Sequence, residues 1–300
     1  MTMDLEGMIW IVALSVVAAI FAILFVKNKV MYFSRMDMSG VVTRSIEIPA
    51  RDITLHGKLI LPRFVLTPEG KSKEKLPLIF VNHGWGASCD VIYTMENAVA
   101  LAVGGPYAVL AYDCRGFGKS PGKRALTEQL FDDIPSIIDF GEKLSEIDPN
   151  RMGFTGMSMG GEIALTRAYV DKRIKAVVAI CTPHDAKANF TRHPESSGAR
   201  MQLGFLKAAG VNGKKIPDAT NQKISPRYII DKDDKALNDR VMLIHSATDE
   251  LISPGEFEKN RQALGIDTDQ AVLLQAGGHA FIHQELLVAA NSLRFFKSKL

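Results

Sequence analysis

Ser158 sits in "GMSMGG", Gly156 to Gly161, between the apolar run "RMGFT" and the amphipathic "EIALTRAYV". A Gly-x-Ser-x-Gly pentad is a cheap pattern taken alone, and its meaning comes from what flanks it. Here a strand pattern runs directly into a helix pattern, which is the context of a nucleophile elbow. Gly156 and Gly160 would let such a strained turn close without side-chain collision and leave the serine oxygen exposed above a sheet. A serine hydroxyl is a poor nucleophile at neutral pH, so it needs a base that a third group orients. Among the seven histidines, His56 lies in a leading hairpin, His245 inside a strand pattern and His193 in a polar insertion. His184 adjoins that insertion, and His283 reads as one turn inside the last helix. His279, in "AVLLQAGGHAFIH", follows the final strand pattern and a Gly-Gly pair, in the loop before the last helix, and is the candidate base.

Acyl transfer also requires donors aimed at the developing oxyanion. "NHGWGAS", containing His83, Gly84, Trp85 and Gly86, follows the first strand of the central series. The backbone N–H groups of Trp85 and of Met159, the residue after the serine, are the candidate oxyanion donors. By itself the glycine-rich stretch would read as a tight turn.

In order, "NHGWGAS", "DCRGFGKS", "GMSMGG", "HSATDELISP" and "GGHAFI" resemble the α/β-hydrolase superfamily. The similarity is closest to the branch that joins esterases, monoacylglycerol-lipase-like enzymes and serine aminopeptidase-like domains, and it covers roughly residues 41 to 300. It implies the order Ser, then Asp or Glu, then His. Asp249 stands where a strand pattern has just ended and is the first choice for the acid; Asp185, after the preceding strand, is the competitor. Glu250 reads as a solvated neighbour. In "DCRGFGKS" the resemblance makes Asp113 and Arg115 structural braces for the loop beside the oxyanion hole, and Cys114, without a paired base, an inert thiol. No metal and no organic cofactor is implied.

The elements that must position these residues are legible as well. "VVTRSIEIPA" and "ITLHGKLILP" alternate like a half-buried hairpin. Six short apolar runs follow at helix-long intervals: "LPLIFVNHG", "YAVLAYD", "RMGFTG", "KAVVAICT", "RVMLIHS" and "AVLLQAGG". Parallel strands covered on both faces read this way, and the intervals suit right-handed crossovers. In "TEQLFDDIPSIIDFGEKLSEI", Leu130, Ile134, Ile137, Ile138 and Leu144 share one apolar helix face, which Pro135 is placed to kink. The polar interval 185–239 is too long for a structureless loop in a compact domain and predicts a small helical cap or lid. Within it, Phe190, Met201, Leu203, Phe205 and Leu206 offer an apolar acyl slot or the cap's own core, and Asn189-Phe190-Thr191 forms a glycosylation sequon.

Ahead of all this, Met8 to Val26 is a run of nineteen residues without a charge, long enough to span a bilayer as a helix. Asp4 and Glu6 precede it where a signal peptide would carry basic residues, and no small-residue cleavage site follows. Lys27, Lys29 and Arg35 lie just after the span, which by the positive-inside rule places the bulk of the chain in the cytoplasm. The expected layout is therefore a short tail over 1–7, a transmembrane anchor over 8–26, a juxtamembrane linker over 27–40 and a catalytic domain over 41–300. Net charge is only +3 with Lys and Arg scattered, which excludes a nucleic-acid surface. Cys89, Cys114 and Cys181 are far apart and without metal-ligand spacing, as suits reduced thiols. Nothing in the chain specifies an oligomeric state.

These readings converge on an α/β-hydrolase fold: a mostly parallel sheet with helices on both faces, a small helical cap and an N-terminal membrane helix. The expected activity is cleavage of a small-molecule or lipid-like carboxylic ester through an acyl-enzyme, with Ser158, His279 and Asp249 as the triad. A peptidase, amidase or thioesterase on the same scaffold is the alternative, and a non-catalytic anchored binding module is the alternative of another class. A peptidase would need paired acids to grip a free amine, and the stretch from Asp185 to Gln222 supplies only Asp185, Glu195 and Asp218, widely separated.

Overall fold

The structure, a computed structural model, describes residues 36–300. The apolar run Met8 to Val26 lies outside the described residues; among those described, no helix is long and apolar enough to cross a membrane. Residues Ser39 to Leu300 form one compact unit.

The leading hairpin is β1 (Val41–Ala50) and β2 (Ile53–Pro62), antiparallel, with Val41 opposite Pro62 and Ala50 opposite Ile53. Next come β3 (Leu76–Asn82), β4 (Ala108–Tyr112), β5 (Ile147–Met157), β6 (Ile174–Ile180), β7 (Val241–Ser246) and β8 (Ala271–Leu274). They form one eight-stranded sheet in the order β1-β2-β4-β3-β5-β6-β7-β8, parallel from β4 to β8. β3 and β4 are buried at every position, which is why their sequences are continuous apolar runs without alternation. The chain steps from β3 outward to β4 and then back to β5 on the other side of β3. That reversal leaves a crevice at the carboxyl ends of β3 and β5, where open α/β sheets place their ligands.

Helices cover both faces. On one, α1 (Ile92–Gly104) and α10 (Glu285–Lys299) pack so closely that a Cβ on Gly104 would lie 2.4 Å from Leu293. Phe296 of α10 reaches Gly153 of β5 and meets the Tyr107 ring at 6.4 Å. On the other face, Phe80 and Phe154 stack at 5.9 Å, and Gly141 comes within contact of Phe80 and Leu78. Gly141 belongs to α3 (Ile134–Glu142), which follows α2 (Glu128–Asp132). Pro135 thus starts a new helix instead of kinking one: lacking an N–H, it costs nothing in a first turn, where donors have no intrahelical partner. Leu130, Ile134, Ile137 and Ile138 are all buried.

Between β6 and β7 the chain forms α5 (Ala186–Thr191), α6 (Ser197–Ala208), α7 (Asp218–Ile224) and α8 (Lys235–Asn238), and α9 (Pro254–Leu264) follows β7. The residues expected to form an acyl slot or the cap's own core do not share one environment, Leu203 and Leu206 being half-buried. Phe190 packs against the main core, whereas Met201 and Phe205 are 60% and 68% exposed on α6, of which only Ala199 is buried. The Asn189 side chain is buried too, bonded to the Leu251 carbonyl and to Arg192, so the sequon is not on a surface loop.

Candidate active site

β5 ends at Met157, and the helix α4 (Met159–Ile163) begins two residues later. Ser158 lies between them at φ 58° and ψ −117°, a region that costs of order 1–3 kcal/mol for a residue with a side chain. Its neighbours hold it there. The Ser158 N–H donates to the Ile180 carbonyl at 2.8 Å, and the Glu162 N–H donates to the Ser158 carbonyl at 3.0 Å. A Cβ at Gly156 would fall 2.2 Å from the Gly160 carbonyl oxygen, and one at Gly160 would fall 2.4 Å from that of Asn82. Both glycines are therefore demanded by backbone approach at the turn.

The chain after β8 passes through Gly277 and Gly278, both at positive φ, and delivers His279 beside the loop that follows β7. That approach is fixed by the Gly278 N–H donating to Thr248 Oγ1 at 3.0 Å and by Ser246 Oγ donating to the Ala276 carbonyl at 3.0 Å. Asp249 Oδ2 lies 2.8 Å from His279 Nδ1. Its other oxygen, Oδ1, accepts the N–H groups of Leu251 and Ile252, each at 2.9 Å. Burial pushes the Asp249 carboxyl up, but His279, His245 and the hydrogen bonds outweigh it and hold it below its ordinary value. An ionised Asp249 accepts from Nδ1–H, which leaves Nε2 of the neutral imidazole as a proton acceptor.

Asp185 is engaged elsewhere. Its carboxylate accepts the Ala188 N–H at the start of α5, the Asn221 amide and Arg227, at 3.0, 3.0 and 3.2 Å. Burial works against its ionisation, yet these donors keep its pKa below the ordinary value.

Ser158 and the Asp249–His279 pair share the carboxyl edge of the sheet and are linked through β6. Ile180 accepts the Ser158 N–H, and the next residue, Cys181, places its sulfur within 4.8 Å of the Asp249 and His279 donor atoms. Cys181 is buried at φ 44°, and burial beside Asp249 drives its thiol well above the ordinary value, so it is no nucleophile. Among the described residues no hydrogen bond joins Ser158 Oγ to His279. Such bonds in unliganded hydrolases are often long and tighten when substrate binds.

The loop after β3 lies against the serine: a Cβ on Gly84 would be 3.4 Å from Ser158 Cβ and 3.3 Å from the Met157 carbonyl. Met159 opens α4, so its N–H has no partner within the helix. The Trp85 ring packs edge-on against Phe117 at 5.0 Å. His83 has a role that its sequence position does not reveal. It is buried, and its Nε2 accepts the Cys114 N–H at 3.0 Å. Nδ1 must then carry the proton, and it donates to the Gly84 carbonyl at 2.8 Å. Burial keeps the ring neutral. Because the Gly84 C=O and the Trp85 N–H belong to one trans peptide, that bond turns the Trp85 N–H away from His83.

Asp113 braces this loop from behind, whereas Arg115 ties the β4 end to Asp133 and to Asp52 in the hairpin turn. Asp113 accepts the Cys89 N–H at 2.6 Å and the Lys119 N–H at 2.8 Å, and Gly118 passes so close that a Cβ would lie 2.1 Å from its carboxylate. Arg115 makes a two-pronged bond to buried Asp133, at 2.8 and 2.7 Å, and a second to Asp52 at 2.6 and 3.3 Å. Cys114 is buried with its sulfur on Asn82 Oδ1, and burial raises its thiol far above the reactive range.

Two further contacts shape the acid loop. His245 Nε2 donates to the Ile252 carbonyl at 3.1 Å and lies 3.7 Å from Asp249 Oδ2, so it tightens the turn whose amides hold Asp249. From the insertion, Arg192 donates to the carbonyls of Glu250 at 2.6 Å and Leu251 at 2.9 Å, and Ser196 Oγ donates to Glu250 Oε1 at 2.6 Å. Glu250, though exposed, is thus tied to the insertion. His184 is a bracing residue bonded to Asn260, and His283 precedes α10 instead of lying inside it.

Residues 73–235, more than half of the chain, match the sequence model of the hydrolase family described as serine aminopeptidase, S33. The chain belongs to that family. Its fold is that of the α/β-hydrolase superfamily, as the solved structures agree. An alpha/beta hydrolase, GrgF from Penicillium sp. sh18, superposes with a TM-score of 0.64 at 15% identity, over 86% of this chain and 99% of that one. An esterase from Pyrococcus furiosus superposes with a TM-score of 0.60 at 18% identity, over 88% and 92%. In sequence, this S33-family hydrolase is 36% identical over 115 residues to an Escherichia coli protein named "Uncharacterized 31.7 kDa protein in traX-finO intergenic region". That match spans 37% of this chain and 38% of the relative.

Proposed function

We propose that this hydrolase is a membrane-anchored serine esterase that cleaves acyl esters through a covalent acyl-enzyme. The observation that carries the reading is the 2.8 Å bond between Asp249 and His279 at the sheet edge where Ser158 is held in a strained elbow. Ser158 Oγ bonds to the ester carbonyl carbon while its proton passes to His279 Nε2, and the oxyanion is met by the N–H groups of Trp85 and Met159. The carbon–oxygen bond to the alcohol then breaks, and His279 returns the proton to the departing oxygen. Water repeats the sequence in the deacylation step. Asp249 keeps the imidazole in the tautomer that both steps require.

An ester is favoured over an aminoacyl amide because two of the three acids between Asp185 and Gln222 are already engaged. Asp185 is bound by Ala188, Asn221 and Arg227, and Asp218 pairs with Lys187. No acid pair from this stretch remains to grip a free amine. The anchor, Met8 to Val26, would hold the domain at a bilayer where amphiphilic substrates concentrate, with the domain on the cytoplasmic side. Because Asn189 is buried, that orientation is read by protease protection in sealed vesicles and not by glycosylation.

The deciding experiment is a kcat/KM series of p-nitrophenyl esters from acetate to palmitate beside leucyl and prolyl aminomethylcoumarins, with Ser158→Ala as the control. Each buried methylene contributes about 0.8 kcal/mol, so kcat/KM should rise with acyl length until the site is full. Ser158→Ala should abolish turnover and fluorophosphonate labelling. If an aminoacyl amide proves the best substrate, the peptidase reading replaces this one. Undiminished turnover in Ser158→Ala removes both.

A further inference from the structure

A second cluster of donor atoms lies away from the triad. A ring nitrogen of His56 on β2, Cys89 Sγ and a carboxylate oxygen of Asp90 all lie within 4.8 Å of one another. Cys89 and Asp90 continue the loop that carries Gly84 and Trp85. The Cys89 side chain is buried, and His56 Nε2 is buried with no hydrogen-bond partner. An orphaned, buried ring nitrogen on a histidine clustered with a thiol and a carboxylate requires an explanation, because buried polar atoms are almost always paired.

We propose that His56, Cys89 and Asp90 bind one zinc-type divalent cation, through Nε2, the thiolate and one carboxylate oxygen, with water in the fourth position. One soft thiolate, one imidazole and one carboxylate form a donor set that suits four-coordinate zinc or its cobalt substitute. Binding breaks the Cys89 S–H bond, forms a sulfur–metal bond and releases the proton to solvent. Lys58 and Lys119 both pair with Asp90 and keep it ionised, and the cation takes one of its oxygens from them. The two anionic ligands balance the ion's charge.

The position gives the site a consequence. Cys89 is also fastened by its N–H to Asp113, so an ion here ties β2 to the back of the loop that bears the Trp85 N–H. The proposal does not depend on the ester reading, since its test does not use turnover.

The full-length protein, freed of metal by a chelator, is titrated with Co2+ while thiolate-to-cobalt charge transfer is followed in the near ultraviolet. A band saturating at one ion per chain and displaced by Zn2+ is expected. Cys89→Ser should abolish it, His56→Gln should weaken binding by about tenfold or more, and Cys181→Ser should leave it unchanged. Absence of the band overturns the proposal. So does a band that survives Cys89→Ser and disappears in Cys181→Ser, which would put the ion on Asp249 and His279 instead. Should Cys89→Ser not fold, His56→Gln and Asp90→Asn decide: unchanged affinity in both refutes the site.

Discussion

Asp249 and His279 meet at 2.8 Å, while Asp185, the other acid at a strand end, turns its carboxylate to Ala188, Asn221 and Arg227. Asp249→Asn should therefore lower kcat by about 10⁴-fold with little change in KM, because the amide favours the wrong imidazole tautomer. Asp185→Asn should leave kcat within a few-fold and reduce stability by about 1 kcal/mol by removing the charge that accepts from Asn221 and Arg227. A dead Asp185→Asn beside an active Asp249→Asn would reverse the assignment of the acid.

His83 braces the peptide that carries the Trp85 N–H. His83→Ala should lower kcat by about a hundredfold or more, with KM nearly constant, since an oxyanion donor acts chiefly in the transition state. Steady-state kinetics beside a thermal melt separates this from unfolding. A change confined to KM would show that the brace has no part in oxyanion stabilisation.

Glu162, 1% exposed, has neither carboxylate oxygen partnered. Burial, with Asp185 and Glu256 nearby, drives its pKa well above the ordinary 4.5. As pH rises through 4.5 the unfolded chain loses this proton and the folded chain keeps it. The unfolded state then binds fewer protons, and stability falls by about 1.4 kcal/mol per pH unit until the folded group ionises too. Glu162→Gln should remove that slope, measured by urea unfolding between pH 5 and 8, and be the more stable protein at the upper end. Equal slopes for the two proteins would mean that Glu162 ionises normally.

Arg192 joins the insertion to the acid loop through the carbonyls of Glu250 and Leu251. Arg192→Ala should cost about 2 kcal/mol, as for hydrogen bonds from a charged donor, and lower kcat as the turn bearing Asp249 loosens. Denaturant unfolding and kinetics on the same sample check this. An unchanged midpoint would show that the strap contributes nothing.

Local chemistry made much of this protein readable. The inner parallel strands appeared as apolar runs because they are buried on both faces, whereas the hairpin alternated because it is not. Ser158 was legible because a strained elbow needs glycines at fixed offsets, and His279 because it directly follows the Gly-Gly pair after the last strand. Tertiary structure alone decided what depends on direction and on distant partners. Asp249 and Asp185 follow equivalent strands, and only the hydrogen bonds each one makes tell them apart. His83, His245 and Arg192 look like ordinary polar residues until the carbonyls they hold are known. Met201 and Phe205 were apolar enough to line a pocket, yet α6 turns them outward, since hydrophobicity does not specify which face a short helix buries. His56 and Cys89 converge only because β2 lies beside β4, a neighbour relation set by sheet order and invisible in the spacing along the chain.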